Sequence, residues 1–198
     1  MTRLYPYLGI ASVILSYVFI AVAIFLSPWF SWYNNALSDL GNSSLQKNIT
    51  SGADLVFNTG LIVGGVLASA FTILLSHEFK FSWKYLIWSV PLLVGSIDLA
   101  LIGIFDESFG AVHLVVSVIF FFLTVITLFL YSYVSFPIGA PATGAVALVL
   151  GIVCALVWIV RWPWTGVAIQ ETVSSAASGA FVILVALRVI RMPKVTST

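Results

Sequence analysis

Six stretches of this chain are each apolar for about 20 residues, and that repetition limits the fold more than any other feature. They lie at 7–26, 53–76, 83–104, 112–133, 143–160 and 167–190. An α-helix rising about 1.5 Å per residue crosses the roughly 30 Å hydrocarbon layer in that length. Lipid offers no partner to backbone N–H and C=O groups, so each stretch must satisfy them internally, as a helix. The expected fold is all-α: an integral membrane bundle of six transmembrane helices, one domain over 1–198. Composition agrees. Charged residues make up 8% of the chain and apolar ones 61%, where a water-soluble domain carries about 25% charged. The first stretch could be mistaken for a secretory signal, but it is long enough to span and five more follow.

The basic residues set the expected orientation. Arg3, Lys80, Lys84, Arg188, Arg191 and Lys194 fall on the side of the termini, and only Lys47 and Arg161 on the other. This bias predicts a multi-pass protein of the cell membrane with cytoplasmic termini. Tyr5, Tyr7, Trp83, Tyr85, Tyr131 and Tyr133 cluster at the predicted inner ends, and Trp29, Trp32, Tyr33, Trp162 and Trp164 at the outer ends. Amphipathic rings favour the headgroup level, so both sets read as interfacial belts.

One connection is long, residues 27–52, on the predicted outer side. Its start, Pro28-Trp29-Phe30-Ser31-Trp32-Tyr33, suits the membrane interface. Its polar end holds two glycosylation sequons, with Asn42 and Asn48 as candidate acceptors. Small residues predict close helix contacts: the G-x-x-x-G pair Gly60 and Gly64, Gly151 with Ala155, and Ala176, Ala177, Gly179 and Ala180. The sequence has no convincing internal repeat, which argues against a transporter built on inverted halves.

Six of the seven acids, Asp39, Asp54, Asp98, Asp106, Glu107 and Glu171, fall on the predicted outer side with His113; Glu78 and His77 fall on the other. Asp98 is the most informative. It sits about two turns inside the third span, where a carboxylate costs roughly 2.5–3.5 kcal/mol. It should face the bundle interior and be protonated or paired, with His113 or Arg161 as partner, in a structural, ligand-binding or catalytic role. His113 and Ser117 share one helix face, as a structural hydrogen bond or as a general base, proton relay or metal ligand. Glu171 opens the sixth span above Ser174, Ser175 and Ser178, a polar stripe expected to point inward or to bond neighbouring helices. Asp54 and Asn58 are one turn apart, and Asp39 in Ser38-Asp39-Leu40-Gly41 suits turn capping. Together Asp39, Asp54, Asn58, Asp98, His113, Ser117, Arg161 and Glu171 are the candidate lining of a polar pocket near the outer face.

Other chemistries are narrowed. The single cysteine, Cys154, lies in an apolar run and supports neither a disulfide nor a cysteine metal motif. Two histidines on opposite sides cannot share a haem. No metal is assigned, and the cofactor is left open. The net charge of +1 gives no reason to expect nucleic acid as a partner.

Four short motifs occur in a telling order: Ser38-Asp39-Leu40-Gly41, Phe57-Asn58-Thr59-Gly60-Leu61, Gly103-Ile104-Phe105, then His113 with Phe120-Phe121. The order resembles an uncharacterised prokaryotic, mostly archaeal, membrane family known as domain of unknown function nine-nine-eight. The resemblance implies a compact six-helix membrane protein and no particular activity. A more distant comparison is the alkaline-ceramidase and progestin-receptor superfamily, which holds zinc on membrane helices. Its H-x-x-x-H pair is missing here, so a three-histidine zinc site is excluded, while a carboxylate-rich site with one histidine would suit harder or mixed-ligand metals.

Three functions fit these observations. The first is binding of a membrane lipid or small amphiphile in the outer cavity. The second is an intramembrane enzyme acting on lipid or prenyl groups through Asp98, His113 and Glu171. The third is a structural subunit, with a membrane-protein partner or a second copy of the chain against the G-x-x-x-G face. A proton-coupled transporter stays open through Asp98, although no inner-half acid completes a path.

Overall fold

The computed structural model describes residues 4–192. Arg3 and Lys194, both counted in the charge bias, lie outside the described residues. The chain forms six long helices, α1 (Pro6–Phe25), α3 (Ala53–Glu78), α4 (Trp83–Ile104), α5 (Ala111–Val134), α6 (Pro141–Ile159) and α7 (Ala168–Arg191), with a short α2 (Gln46–Ser51) in the long connection. All six long helices have the length and apolarity to cross a membrane, so the chain is a multi-pass, all-helical membrane protein. The predicted spans agree to within about two residues at each end. Pro6 and Pro141 stand in the first turns of α1 and α6, where proline's missing N–H leaves no bond unmade. Gly52, at φ 73°, turns the chain from α2 into α3, a conformation that glycine adopts without strain.

Consecutive long helices pack side by side, and α7 returns to α1. Helix α7 also touches α5. That contact closes a ring of α1, α3, α4, α5 and α7, and α6 packs on the outside, in the α5–α7 groove. Trp158 of α6 is tied there by donating to Ser174 Oγ on α7, 2.9 Å away.

The ring is tight where small residues let backbones meet. A Cβ on Gly60 would fall 2.3 Å from Phe19 Cβ, and one on Gly65 would fall 2.6 Å from the Ala100 nitrogen. Gly60 and Gly64 both face α1. The G-x-x-x-G face expected to receive a partner therefore closes the inside of this bundle. Of the small residues in α7, Ala177 and Gly179 are buried, whereas Ala176 and Ala180 are exposed.

Two apolar clusters stack along the bundle axis. Toward the termini, Trp88, Tyr131 and Phe181 meet edge to face, with centroids 5.0 Å (Trp88–Tyr131), 4.9 Å (Tyr131–Phe181) and 6.0 Å (Trp88–Phe181) apart. Perpendicular aromatic pairs of this kind are favourable beyond their buried area. All three rings are about 1% exposed or less, and they floor the ring. Toward the long connection, Ile20, Leu37, Leu40, Phe57, Leu61, Ile102, Phe120 and Ala168 form the second cluster. Two of these residues belong to the connection itself, which is folded onto the bundle.

Candidate functional site

Residues 27–52 close one end of the ring. The chain turns through Ser27–Ala36, winds into a 3-10 turn (Leu37–Gly41), passes α2 and enters α3. Backbone bonds anchor it to the segment before α7: Tyr33 O accepts from Thr165 and Gly166, and Asn35 O from Val167 and Ala168. Glu171, in the first turn of α7, accepts the Leu37 N–H at 2.5 Å and also bonds the Ser38 N–H. Asn58 of α3 donates to Gly41 O at 2.8 Å. A Cβ on Gly41 would fall 2.4 Å from Asn58 Oδ1 and 2.7 Å from Phe57 Cδ1, so this close approach requires glycine.

The four motifs of the sequence meet at this cap. Gly41 rests on Phe57 and Asn58, and Gly103 on the Asn58 carbonyl. His113 Nδ1 is 2.8 Å from Phe105 O.

Asp39 caps its own turn, its Oδ2 accepting from Asn35 Nδ2 at 2.7 Å and from Ala36 N at 3.1 Å. Glu107, in the short turn Glu107–Phe109, hydrogen-bonds Asp39. Burial first, then the Asp39 carboxylate, push Glu107 up to about 7, with Asn42 opposing. Burial pushes Asp106 up too, but side-chain and backbone donors from Ser108 and Ser43 outweigh it and leave that carboxyl below its usual range.

Beneath the cap are two cavities. The deeper one, about 90 Å³, lies inside the five-helix ring, with Phe181 of the aromatic floor in its wall. The shallower one, about 50 Å³, lies directly under Leu37 and Ser38, beside Ser117 and Glu171. Ile20, Leu61, Leu99, Phe120 and Ser175 line both, so the two adjoin. Hydroxyls stud the walls. Ser12, Ser96 and Ser175 donate to the carbonyls of Gly9, Leu92 and Thr172, and Ser16 to Gly60 O. A hydroxyl that donates to backbone keeps its lone pairs, so these walls present acceptors.

Of the candidate residues, Glu171 and Ser117 line the cavity, and His113 sits behind Ser117, with Ser117 Oγ 3.2 Å from its Nε2. Asp39 and Asn58 hold the cap from above. Asp98 lines neither cavity; it is 4% exposed, near the Phe120 backbone, and its Oδ2 has no hydrogen-bond partner. Neither expected partner reaches it: His113 bonds Phe105 and Ser117, and Arg161 is exposed between α6 and α7. Asp54 is half-buried at the start of α3 and lines neither cavity. In the α7 stripe, Ser175 and Ser178 face the cavity, while Ser174 bonds Trp158.

Asn48 does not fit its expected part as a glycan acceptor. Its side chain is fully buried, and its Nδ2 donates to Asp39 O at 2.8 Å and Asn42 O at 3.0 Å. Asn42 turns its amide toward Glu107 and accepts from Ser44 N at 3.0 Å.

Ser38, Tyr17, the α1 and α4 hydroxyls, and Thr124 and Thr127 of α5 had no part in the expected pocket. The available signal was a one-turn recurrence of serine in α1, Ser12 and Ser16, within an aliphatic run. Among the described residues, no group of three or more His, Cys, Asp or Glu side chains is placed to hold a metal ion.

Comparison with known proteins returns a family. The family model described as protein of unknown function, DUF998, matches residues 10–188, the family that the motif order resembles. No curated protein and no solved structure matches the chain.

Proposed function

The chain belongs to the DUF998 family, whose description assigns no activity, and we propose from the geometry that it binds a small amphiphile in the capped cavity. The occupant's apolar part lies in the deeper chamber. Its polar group, a hydrogen-bond donor such as an alcohol, sits under the cap at Glu171. The carrying observation is that the two cavities share walls and lie in line between an aromatic floor and a carboxylate that also holds the cap. Size limits the ligand. A cavity of roughly 150 Å³ accepts benzene, and these chambers hold about 90 and about 50 Å³. That suits a small amphiphile or the end of a longer chain, not a whole phospholipid.

The same reading gives the bundle one working end. The basic residues Lys80, Lys84, Arg188 and Arg191 lie at the end of the termini, and Lys47 and Arg161 at the cap. This supports cytoplasmic termini and a cap on the outer side of the cell membrane.

The test is binding of a fluorescent alkyl alcohol to the protein in lipid nanodiscs, with native mass spectrometry for co-purified amphiphile. Leu99 lines both chambers, so Leu99→Trp should fill the passage and abolish binding while the protein stays folded. Equal binding by that variant would overturn the proposal.

A further inference from the structure

Two hydrogen bonds beneath the cap arrange chemistry that binding does not require. His113 Nδ1 is 2.8 Å from the Phe105 carbonyl. A carbonyl only accepts, so Nδ1 carries the ring proton. Nε2 of the neutral ring is then the acceptor, and the Ser117 hydroxyl 3.2 Å away donates to it. Elsewhere in the long helices the hydroxyls of Ser12, Ser69, Thr72, Ser76 and Ser96 donate to carbonyls three or four residues back, the usual habit of helical serine and threonine. Ser117 departs from it, turning to an imidazole while its side chain lines the cavity wall. A hydroxyl donating to a base that a third group orients is the arrangement of an activated nucleophile.

We propose that His113 and Ser117 form a nucleophilic dyad opening on the cavity, and that its substrate class is a carboxylic ester with a short apolar chain and a free hydroxyl. This rests on the amphiphile-binding reading and assigns chemistry to the same site. Ser117 Oγ bonds to the ester carbonyl carbon as its proton passes to His113 Nε2. The carbon–oxygen bond to the leaving alcohol then breaks, and that oxygen takes the proton from Nε2. Water repeats the sequence on acyl-Ser117, releasing the carboxylic acid and restoring the hydroxyl. The Phe105 carbonyl stabilises the imidazolium formed in each half. The Ser38 side chain lines the same cavity as Ser117. In this proposal its hydroxyl donates to the developing oxyanion. Glu171 accepts the free hydroxyl of the substrate. Asp98 lines neither cavity and takes no part.

The test is covalent labelling of the protein in nanodiscs by a short alkyl fluorophosphonate, with the adduct mapped by mass spectrometry and alkyl-alcohol binding measured on the same samples. The expected adduct is on Ser117 and is lost in Ser117→Ala. In His113→Gln the amide can still accept the Ser117 bond but cannot take its proton, and labelling should slow by about a hundredfold or more. Alcohol binding with no adduct on Ser117, or an unchanged labelling rate in His113→Gln, overturns the dyad and leaves the binding reading standing. Labelling of Ser117 that persists undiminished in Leu99→Trp overturns the cavity reading instead.

Discussion

The Glu171 carboxylate and the Leu37 backbone N–H meet at 2.5 Å across 134 positions of sequence. One side chain in the first turn of α7 thereby sets both the roof of the cavity and the register of the cap. Hydrogen bonds to charged groups contribute about 1.5–3 kcal/mol. Glu171→Ala should lower thermal stability by an amount of that order and speed proteolysis within 27–52. Glu171→Gln, which keeps a neutral acceptor, should fall between. Limited proteolysis checks this, and cleavage at the parent rate in Glu171→Ala would contradict it.

The cap should loosen as pH rises. Glu107 is raised from 4.5 to about 7 in the folded protein, so between those values the folded state holds a proton that the unfolded state has released. Stability is therefore fully supported below about 4.5 and declines as pH rises through about 7. The midpoint of thermal unfolding should fall over that window. Glu107→Gln, neutral throughout, should flatten the fall and be the more stable protein at about pH 8.

Two glycines on the ring should respond differently to alanine. A methyl on Gly65 would fall 2.6 Å from the Ala100 nitrogen and 2.7 Å from Ser96 O. Both are backbone atoms of α4, so relief requires the helices to separate. Overpacking of this kind costs about 1–3 kcal/mol. On Gly95 the nearest atom would be Leu123 Cβ at an ordinary 3.6 Å. Gly95→Ala should be neutral or stabilising by up to about 1 kcal/mol, since alanine is the better helix former. Unfolding curves of the two variants in one detergent decide the point.

Asp98 keeps a buried Oδ2 without a partner. An unsatisfied buried polar group costs about 1–3 kcal/mol. Asp98→Leu should therefore raise stability by roughly that amount without affecting alcohol binding, because Asp98 lines neither chamber. A destabilised variant would mean that this carboxyl holds α4 and α5 together.

Orientation can be tested without removing the natural cysteine, because Cys154 is fully buried. A membrane-impermeant maleimide added to intact cells should label Lys47→Cys and spare Lys80→Cys. The reverse pattern would invert the assignment.

The long helices were legible because lipid imposes one rule on every residue of a span, and that rule leaves a local mark in composition. Turn chemistry was equally local: Asp39 caps its turn by reaching residues three and four positions away. The pocket was legible in part. Ser175 and Ser178 face inward as their helical spacing predicts, and Ser117 sits one turn from His113. What escaped depends on distant pairing. Nothing around Asn48 signals that Asp39 O and Asn42 O will enclose its amide, and nothing around Leu37 points to Glu171. Asp98 misled for a related reason. A carboxylate in a span implies a partner only if some neighbouring helix supplies one at that depth, and here His113 is engaged by Phe105 and Ser117 while Arg161 stays outside.

On the amphiphile-binding reading proposed above, the floor of Trp88, Tyr131 and Phe181 would make the bundle a vessel closed at that end. A molecule held above that floor would leave by a route it could have used to arrive. Exchange of such a molecule would then be governed by how often the lid and the upper helix seams open. Competing ligands should displace one another in strict one-for-one fashion, with no dependence on the gradient across the membrane.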